Sequence, residues 1–293
     1  MKVSENTPSS ADEIADCLES FALSSESTAL SLRQVTEFAE NYLQAGSASI
    51  TFAIGRMRRR LAILKEKYPI DFDVASMFRR EAAHLMPYTH LLLLSGTAIG
   101  VLEESSSTLK SPEESFEELV LEAVCNWLGP GSTGVRFGWP SEFGRPAEFP
   151  DAIRWLSEKM NVELGSAFRP PIRKDGGVDV IVWRPFADSR SGFPVVLAQC
   201  TLQKDLISKS RDVDLANWSG WLLTDRPPTT VLATPRTVDE ASDKWTQLNR
   251  QTLIMERIRL SEWLPDLISP TKYQGLTSAV THSISAIRDS VHN

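Results

Sequence analysis

Two apolar runs separated by a turn-rich loop constrain the fold of this chain more than any other feature. The first run spans residues 178–183 and is rich in Val and Ile, and the second spans residues 195–201 and contains Val and Leu. The loop between them contains Pro, Gly, Ser and Asp, a composition typical of a connection between hairpin strands. Side chains alternate between the two faces of a strand. Pairing of these strands therefore predicts that Asp179 and Gln199 meet at one end of a sheet.

Asp179 and Gln199 are candidate ligands of a hard cation. A carboxylate, an amide oxygen, a backbone carbonyl and waters suit Mg²⁺. A bound ion would lower the pKa of a water and neutralise charge on a phosphate. Gly176 and Gly177 would let a bulky substrate approach the backbone closely. A simpler interpretation is also open, because Asp175-Gly176-Gly177 is a turn signal and a glutamine often ends a buried strand as a polar cap.

A third candidate lies on a helix that the sequence predicts from residue 112 to residue 128. Ser111-Pro112 is typical of a helix start, and Gly129-Pro130 of a helix end. Glu117 falls within the apolar arc of this helix, where a carboxylate needs a metal, a lysine or a route to solvent. A boundary residue that reaches solvent is the alternative interpretation. The predicted buried stripe consists of Phe116, Leu119, Val120, Ala123, Val124 and Trp127.

The pattern along the chain predicts two parts. Residues 1–105 form a helical N-terminal region, with helical periodicity from Leu30 to Leu102. Residues 106–293 form an α/β domain with a mixed central sheet flanked by helices, because helical stretches there alternate with short strands. Gly129–Gly134 is predicted as a helix stop and a surface loop. Other predicted elements are a helix at 149–160, a strand at 162–167, a helix from about residue 204, a strand at 229–233, a helix at 238–249, a strand at 252–255 and a helix at 261–268.

Composition excludes some classes of protein. The formal net charge of -7 argues against a protein that coats nucleic acid by bulk electrostatics, although a local basic groove stays compatible with it. Cys17, Cys125 and Cys200 are scattered and odd in number, which fits a reducing cytoplasm better than a disulfide framework. The apolar stretches are too short to span a bilayer. We therefore expect a soluble cytoplasmic protein without a membrane partner.

The dense basic cluster of the N-terminal region is a candidate nucleic-acid contact. Arg56, Arg59, Arg60 and Lys67 fall near one helical face and are predicted to bind backbone phosphates. Lys174, just before the glycine pair, is the remaining candidate. The alternative is a solvated face or a face paired with an acidic partner. The N-terminal helices are expected to provide recognition, a contact with a protein partner or a homodimer contact.

The tryptophans leave two interpretations open. Most are expected in the core, and some could stack on bases or form a partner surface. They are Trp139, Trp155, Trp183, Trp218, Trp221, Trp245 and Trp263.

With these residues in place, the chain resembles the PD-(D/E)XK nuclease superfamily and, within it, the Mrr-like restriction endonucleases. The family pattern is a helix with Phe-Glu, then Gly-Gly-apolar-Asp in one strand, then an apolar run that ends Gln-x-Lys in the next. Phe116-Glu117, Gly176–Asp179 and Val195–Gln199 match it in order and spacing. The resemblance covers roughly residues 112–235.

The resemblance implies a restriction-endonuclease-like domain that hydrolyses phosphodiester bonds with Mg²⁺ or Mn²⁺. It implies DNA as the substrate and a role in restriction or antiviral defence. Asp179 and Gln199 would hold the metal, and Glu117 would be an accessory acid. Thr201 stands where the family has its lysine, so Lys204 is expected to reach back and replace it. The alternative is a catalytically inactive nuclease-fold subunit that binds a protein or nucleic-acid partner.

Overall fold

A computed structural model describes residues 8, 10–96, 112–139, 144–166, 169–171, 174–273 and 284. In chain order the helices of these residues are α1 Ala11–Ser24, α2 Leu32–Tyr42, α3 Ser47–Leu64, α4 Pro87–Leu94, α5 Pro112–Leu128, α6 Phe149–Met160, α7 Leu206–Lys209, α8 Leu215–Trp221, α9 Asp243–Asn249 and α10 Arg257–Trp263. The strands are β1 Ala29–Ser31, β2 Ile70–Phe72, β3 Ser76–Arg79, β4 Thr133–Arg136, β5 Glu163–Leu164, β6 Val180–Trp183, β7 Val195–Cys200, β8 Leu222–Leu223, β9 Thr229–Ala233 and β10 Leu253–Met255.

The contacts divide the chain into two compact units. The first unit comprises the described residues within 1–115, 235–238 and 257–293, and the second comprises those within 116–234 and 239–256. The predicted boundary at residue 105 falls close to the first division. The prediction differs at the C-terminal end, because it assigned residues 257–293 to the second part.

The first unit combines helices with a small antiparallel sheet in the order β1-β3-β2. Ser10 caps α1 by accepting a hydrogen bond from the Glu13 amide, and Ser31 and Gln34 form a capping box at the start of α2. The purely helical prediction for residues 30–102 is wrong for β2 and β3. Both strands are short and lie around a turn in which Asp73 accepts hydrogen bonds from two backbone amides.

Arg60 lies on the buried stripe of α3, and its predicted role as a phosphate contact is wrong. Its side chain is 2% exposed and donates hydrogen bonds to Asp12, Asp16 and Glu19 at 2.8–2.9 Å. A guanidinium held by buried acids has no exposed donor for a nucleic acid. Arg257 of α10 joins this ionic cluster through a 2.7 Å ion pair with Asp16.

The other members of the predicted basic face differ from Arg60. Arg59 is exposed. Arg56 is 28% exposed and lies 3.9 Å from an oxygen of Asp12. Lys67 donates hydrogen bonds from Nζ to the carbonyls of Glu262 and Leu264. A nucleic-acid role for Arg56 and Arg59 stays a prediction.

The second unit is built on a five-stranded mixed sheet in the order β10-β9-β7-β6-β4. Strands β4, β6 and β7 are antiparallel neighbours, whereas β9 and β10 run parallel to β7. The chain crosses from β7 to β9 through α7 and α8, and β8 pairs with β5 in a separate two-stranded ladder. A mixed α/β architecture with a central sheet is therefore confirmed.

Several predicted elements of the second unit are confirmed with their bounds, namely α5, α6 and β9. Strand β4 was missed, because Gly134 was interpreted as part of a surface loop. A Cβ at Gly134 would lie 2.7 Å from the Ile181 carbonyl oxygen and 2.7 Å from Leu121 Cδ1. Glycine is therefore required in this strand so that α5 can pack closely on the sheet.

Three other predicted bounds are too long or shifted along the chain. The strand predicted at 162–167 contains only the two residues of β5. The helix predicted at 238–249 begins at Asp243. The helix predicted at 261–268 spans Arg257–Trp263.

Candidate active site

Asp179 and Gln199 meet at the end of the sheet, as side-chain alternation predicted. Val180 pairs with Ala198 across β6 and β7, so the residues one step further face each other. Gln199 Nε2 donates a hydrogen bond to Asp179 Oδ2 at 2.8 Å. The Cys200 amide donates to the same oxygen at 2.7 Å. Asp179 is therefore held through one carboxylate oxygen.

The orientation of the Gln199 amide matters for the predicted metal role. The structure directs the nitrogen of this amide to Asp179, whereas a metal ligand must present the oxygen. A half-turn about the terminal side-chain bond exchanges the two atoms. Gln199 itself is 7% exposed, so its amide is largely shielded from solvent.

Glu117 of α5 is held by an arginine that the sequence analysis did not single out. Arg136, the last residue of β4, donates from Nε to Glu117 Oε2 at 2.9 Å and lies 3.6 Å from a Glu118 oxygen. The side chain of Arg136 is 5% exposed, and that of Glu117 is 15% exposed. An arginine at the end of a strand gives no sign in the sequence that it will be buried.

Gly138 lies between the two candidate acids. The amides of Phe137 and Gly138 donate to the carbonyl oxygen of Asp179 at 2.6 and 3.0 Å, which fixes this turn against β6. A Cβ at Gly138 would lie 3.2 Å from Glu117 Oε1 and 3.3 Å from Asp179 Oδ1. These are not the oxygens that accept from Arg136 and Gln199. One oxygen from each carboxylate therefore faces a space that only glycine leaves open.

The surroundings of Asp179 disfavour its charged form. Burial is the largest cause and raises the pKa of the carboxyl group to about 8. The hydrogen bond from the Cys200 amide opposes this rise, while the charges of Glu117 and Asp175 add to it. A cation between the two acids would favour the charged form, because opposite charge lowers the pKa of a carboxyl group. Glu117 Oε1 and Asp179 Oδ1 are thus the two carboxylate oxygens that a divalent ion could share.

Cys200 is not a candidate nucleophile. Burial and the nearby charge of Asp179 raise the pKa of its thiol, so the protonated form is favoured.

The lysine whose charge affects the pKa of Asp179 is Lys209, and not the predicted Lys204. Lys209, at the end of α7, is the cation that lowers the pKa of Asp179 most. Its side chain is 17% exposed, and its Nζ lies 3.4 Å from Asp212 Oδ2. Lys204 is exposed on the segment before α7, and its carbonyl accepts from Lys244. Thr201, at the family's lysine position, is buried.

Gly176 and Gly177 do not serve the role predicted for them. Both have positive φ, at 63° and 79°. A Cβ at Gly176 would lie 2.9 Å from the Trp221 ring, and one at Gly177 would lie 2.1 Å from the Asp212 carbonyl oxygen. The glycines therefore allow close approach of the protein's own α8 and of the segment after α7, and not of a substrate.

Lys174 is exposed at the start of this turn, beside an aromatic residue that follows Gly138 directly. Its Nζ lies 5.8 Å from the centre of the Trp139 ring. Its carbonyl accepts a 2.7 Å hydrogen bond from Arg145.

Two absences concern the described residues alone. Among them, no group of three or more His, Cys, Asp and Glu side chains is arranged to hold a metal ion. A metal here would need the Gln199 amide or water in addition to the two carboxylates. In the same part of the chain, no helix combines the length and apolar character needed to cross a membrane.

Comparison of the chain with protein-family models, with curated proteins and with solved structures found no match. The family resemblance therefore depends on the motif residues described above.

Proposed function

We propose that the second unit is a metal-dependent nuclease that hydrolyses phosphodiester bonds. The observation that carries this proposal is the convergence of Glu117 Oε1 and Asp179 Oδ1 on the space at Gly138, with Gln199 bound to Asp179. Arg136 pairs with Glu117 but not with Asp179, and the like charges of the two acids repel each other, so a cation between them would stabilise both. Mg²⁺ and Mn²⁺ are the ions that carboxylate and amide oxygens suit.

The sheet supports this proposal. An antiparallel run of β4, β6 and β7 is followed, through a helical crossover, by the parallel strand β9. Glu117 lies near the N-terminal end of α5, and Asp179 lies just before the N-terminal end of β6. Both of these ends approach the C-terminal end of β7. This is the arrangement that the resemblance to restriction endonucleases implies, and the finer fold assignment is part of the proposal.

Each side chain has a proposed role. Asp179 and Glu117 would hold the metal through the oxygens beside Gly138. Gln199 holds the other Asp179 oxygen and would contribute its amide oxygen to the metal only after the half-turn. A bound ion would supply a water of lowered pKa and neutralise phosphate charge. Lys209 stabilises negative charge on the phosphate during attack, which the Thr201 hydroxyl cannot do. Arg136 positions Glu117 by holding its other oxygen.

The resemblance alone supports DNA as the substrate and restriction or antiviral defence as the setting. The first unit, with Arg56 and Arg59 on α3, is proposed to contact nucleic acid, a protein partner or a second copy of the chain. Both statements are tested separately from the chemistry.

The test uses the purified full chain with plasmid, linear and single-stranded DNA and with RNA, in the presence of Mg²⁺ or Mn²⁺. We expect cleavage that Asp179→Ala abolishes. Asp188→Ala is the matched control, because Asp188 is an exposed acid of the loop between β6 and β7. Cleavage that survives in Asp179→Ala, or no cleavage of any substrate, contradicts the proposal.

A second candidate function is a catalytically inactive nuclease-fold subunit. The ion pair between Arg136 and Glu117 favours it, because an acid already neutralised by arginine has less need of a metal. In this case Asp179→Asn would retain partner binding and fold stability, and the chain would show no affinity for Mn²⁺. Metal titration therefore separates the two candidates.

A further inference from the structure

An aromatic ring and two cations lie next to the candidate active site. Trp139 follows Gly138 and is 38% exposed, an uncommon exposure for so large a side chain. The guanidinium carbon of Arg145 lies 5.5 Å from the centre of the Trp139 ring and 4.4 Å from that of Phe137. Lys174 Nζ lies 5.8 Å from the Trp139 ring centre. Such distances are within the range of cation–π attraction.

Arg145 is a buried residue that positions Lys174 beside Trp139. Arg145 is 4% exposed, and its guanidinium donates hydrogen bonds to the carbonyls of Lys174 and Pro146 at 2.7 and 3.0 Å. Arg145 Nε is buried without a hydrogen-bond partner among the described residues. The hydrogen bond to the Lys174 carbonyl ties this backbone to the guanidinium that lies beside the rings of Phe137 and Trp139. Lys174 and Trp139 are therefore held side by side rather than meeting by chance.

We propose that Trp139 and Lys174 form a subsite for one unpaired nucleotide beside the scissile phosphate. The base stacks on the exposed part of the Trp139 ring, and Lys174 binds the adjoining backbone phosphate. The position relative to the scissile phosphate rests on the proposed nuclease function. The binding of an unpaired nucleotide does not.

The subsite restricts the class of substrate. A base within an intact duplex is stacked on both faces and must be unstacked before it can reach an exposed indole. Single strands, frayed ends and flaps present a base without that cost. An acidic peptide would use the charge of Lys174 but would gain little from the indole, so the combination favours a nucleic acid.

The test measures binding without cleavage, on the full chain in EDTA. The probe is a fluorescent single-stranded oligonucleotide followed by anisotropy, and the duplex ligand is a relaxed, covalently closed plasmid added as competitor. We expect tighter binding of the single strand. Trp139→Ala should weaken it by about 5- to 150-fold, which is the loss of one base stack. Trp139→Phe should restore most of the affinity.

Matched controls come from the same unit. Lys174→Ala should also weaken binding of the single strand, because it removes a phosphate contact. Lys159 lies 5.0 Å from the ring centre of Trp155 in a similar lysine–tryptophan pair on α6, so Lys159→Ala is its control. Phe186 is 59% exposed in the loop between β6 and β7, so Phe186→Ala is the control for Trp139→Ala. We expect both controls to bind like the unsubstituted chain.

Three results overturn the subsite: no binding of the single strand, equal binding by Trp139→Ala, or equal displacement of the probe by an acidic peptide. Its failure is distinguishable from failure of the nuclease proposal. A chain that binds the single strand through Trp139 but cleaves nothing keeps the subsite, whereas a chain that cleaves through Asp179 and ignores Trp139 loses only the subsite.

Discussion

The substitution Gly138→Ala tests whether the space between the two acids is a metal site. The added Cβ would lie 3.2 Å from Glu117 Oε1, 3.3 Å from Asp179 Oδ1 and 3.5 Å from Glu117 Cδ. The first two contacts are tighter than ordinary van der Waals contact, so both carboxylates must move by a few tenths of an ångström. Gly138 is not among the residues with positive φ, so the backbone accepts alanine without strain.

The expected result separates binding from stability. Alanine at a compatible glycine position stabilises a fold by about 0.4–1 kcal/mol, because it restricts the unfolded chain. The contacts with the carboxylates offset part of this gain, so the free energy of unfolding should change little. Displacing groups that hold a metal typically lowers its affinity by about 10- to 100-fold, or about 1.4–2.8 kcal/mol. Cleavage should fall with the metal affinity.

The assay for this substitution is calorimetric titration of the folded variant with Mn²⁺, beside thermal denaturation in EDTA. Gly55→Ala is the control, since a Cβ at Gly55 would meet no heavy atom within 4 Å. Unchanged Mn²⁺ affinity and cleavage in a folded Gly138→Ala variant would refute the reasoning. It would mean that the space beside Gly138 holds no ligand.

Three further predictions concern single residues. The pKa of the Asp179 carboxyl group is raised from 3.8 to about 8, so in EDTA its contribution to stability is complete below pH 3.8 and is lost as the pH rises towards 8. Denaturant unfolding across this range should therefore depend less on pH in Asp179→Asn than in the unsubstituted chain. An identical pH dependence in the two chains would contradict the raised pKa. Lys209→Ala should lower the cleavage rate by about 10²- to 10³-fold while Lys204→Ala cleaves normally, and the reverse ranking would restore Lys204. Arg60→Ala should cost about 3–5 kcal/mol of unfolding free energy, because it removes one of the two guanidinium groups that neutralise the buried Asp16 and Glu19, against less than about 0.5 kcal/mol for Arg59→Ala. Equal losses in denaturant unfolding would contradict this account.

The sequence was sufficient where local rules decide the structure. Helix α5 begins at Pro112 and ends just before Gly129, because proline suits a first helical turn and glycine suits a helix end. The meeting of Asp179 and Gln199 followed from alternation along two strands that pair with each other. Both are consequences of spacing, which a single sequence contains.

The sequence was insufficient where residues far apart in the chain determine the structure together. Arg60 is i+3 from Met57 on the buried stripe, but the acids that make its burial tolerable lie 41–48 residues away in the chain. Arg257 pairs with Asp16 across 241 residues, so the return of the C-terminal segment to the first unit had no local sign. Gly134 looks like a loop residue until α5 is packed against it.

The candidate site shows the same division. The meeting of Asp179 and Gln199 was predicted, whereas Gly138 and Arg136 became recognisable only when β4 was in place beside β6. Lys209 was missed because its charge acts on Asp179 across the fold rather than along the chain. A charge on a short helix has no pattern that tells which side it faces.

The most direct test of the central claim is electron paramagnetic resonance of Mn²⁺ titrated into the purified full chain. If Asp179, Glu117 and Gln199 hold a divalent ion, the signal of free Mn²⁺ should fall as one site fills, and Asp179→Ala should abolish this loss of signal. A chain that leaves the Mn²⁺ signal unchanged, or an Asp179→Ala variant that binds the ion as well as the unsubstituted chain, would contradict the account.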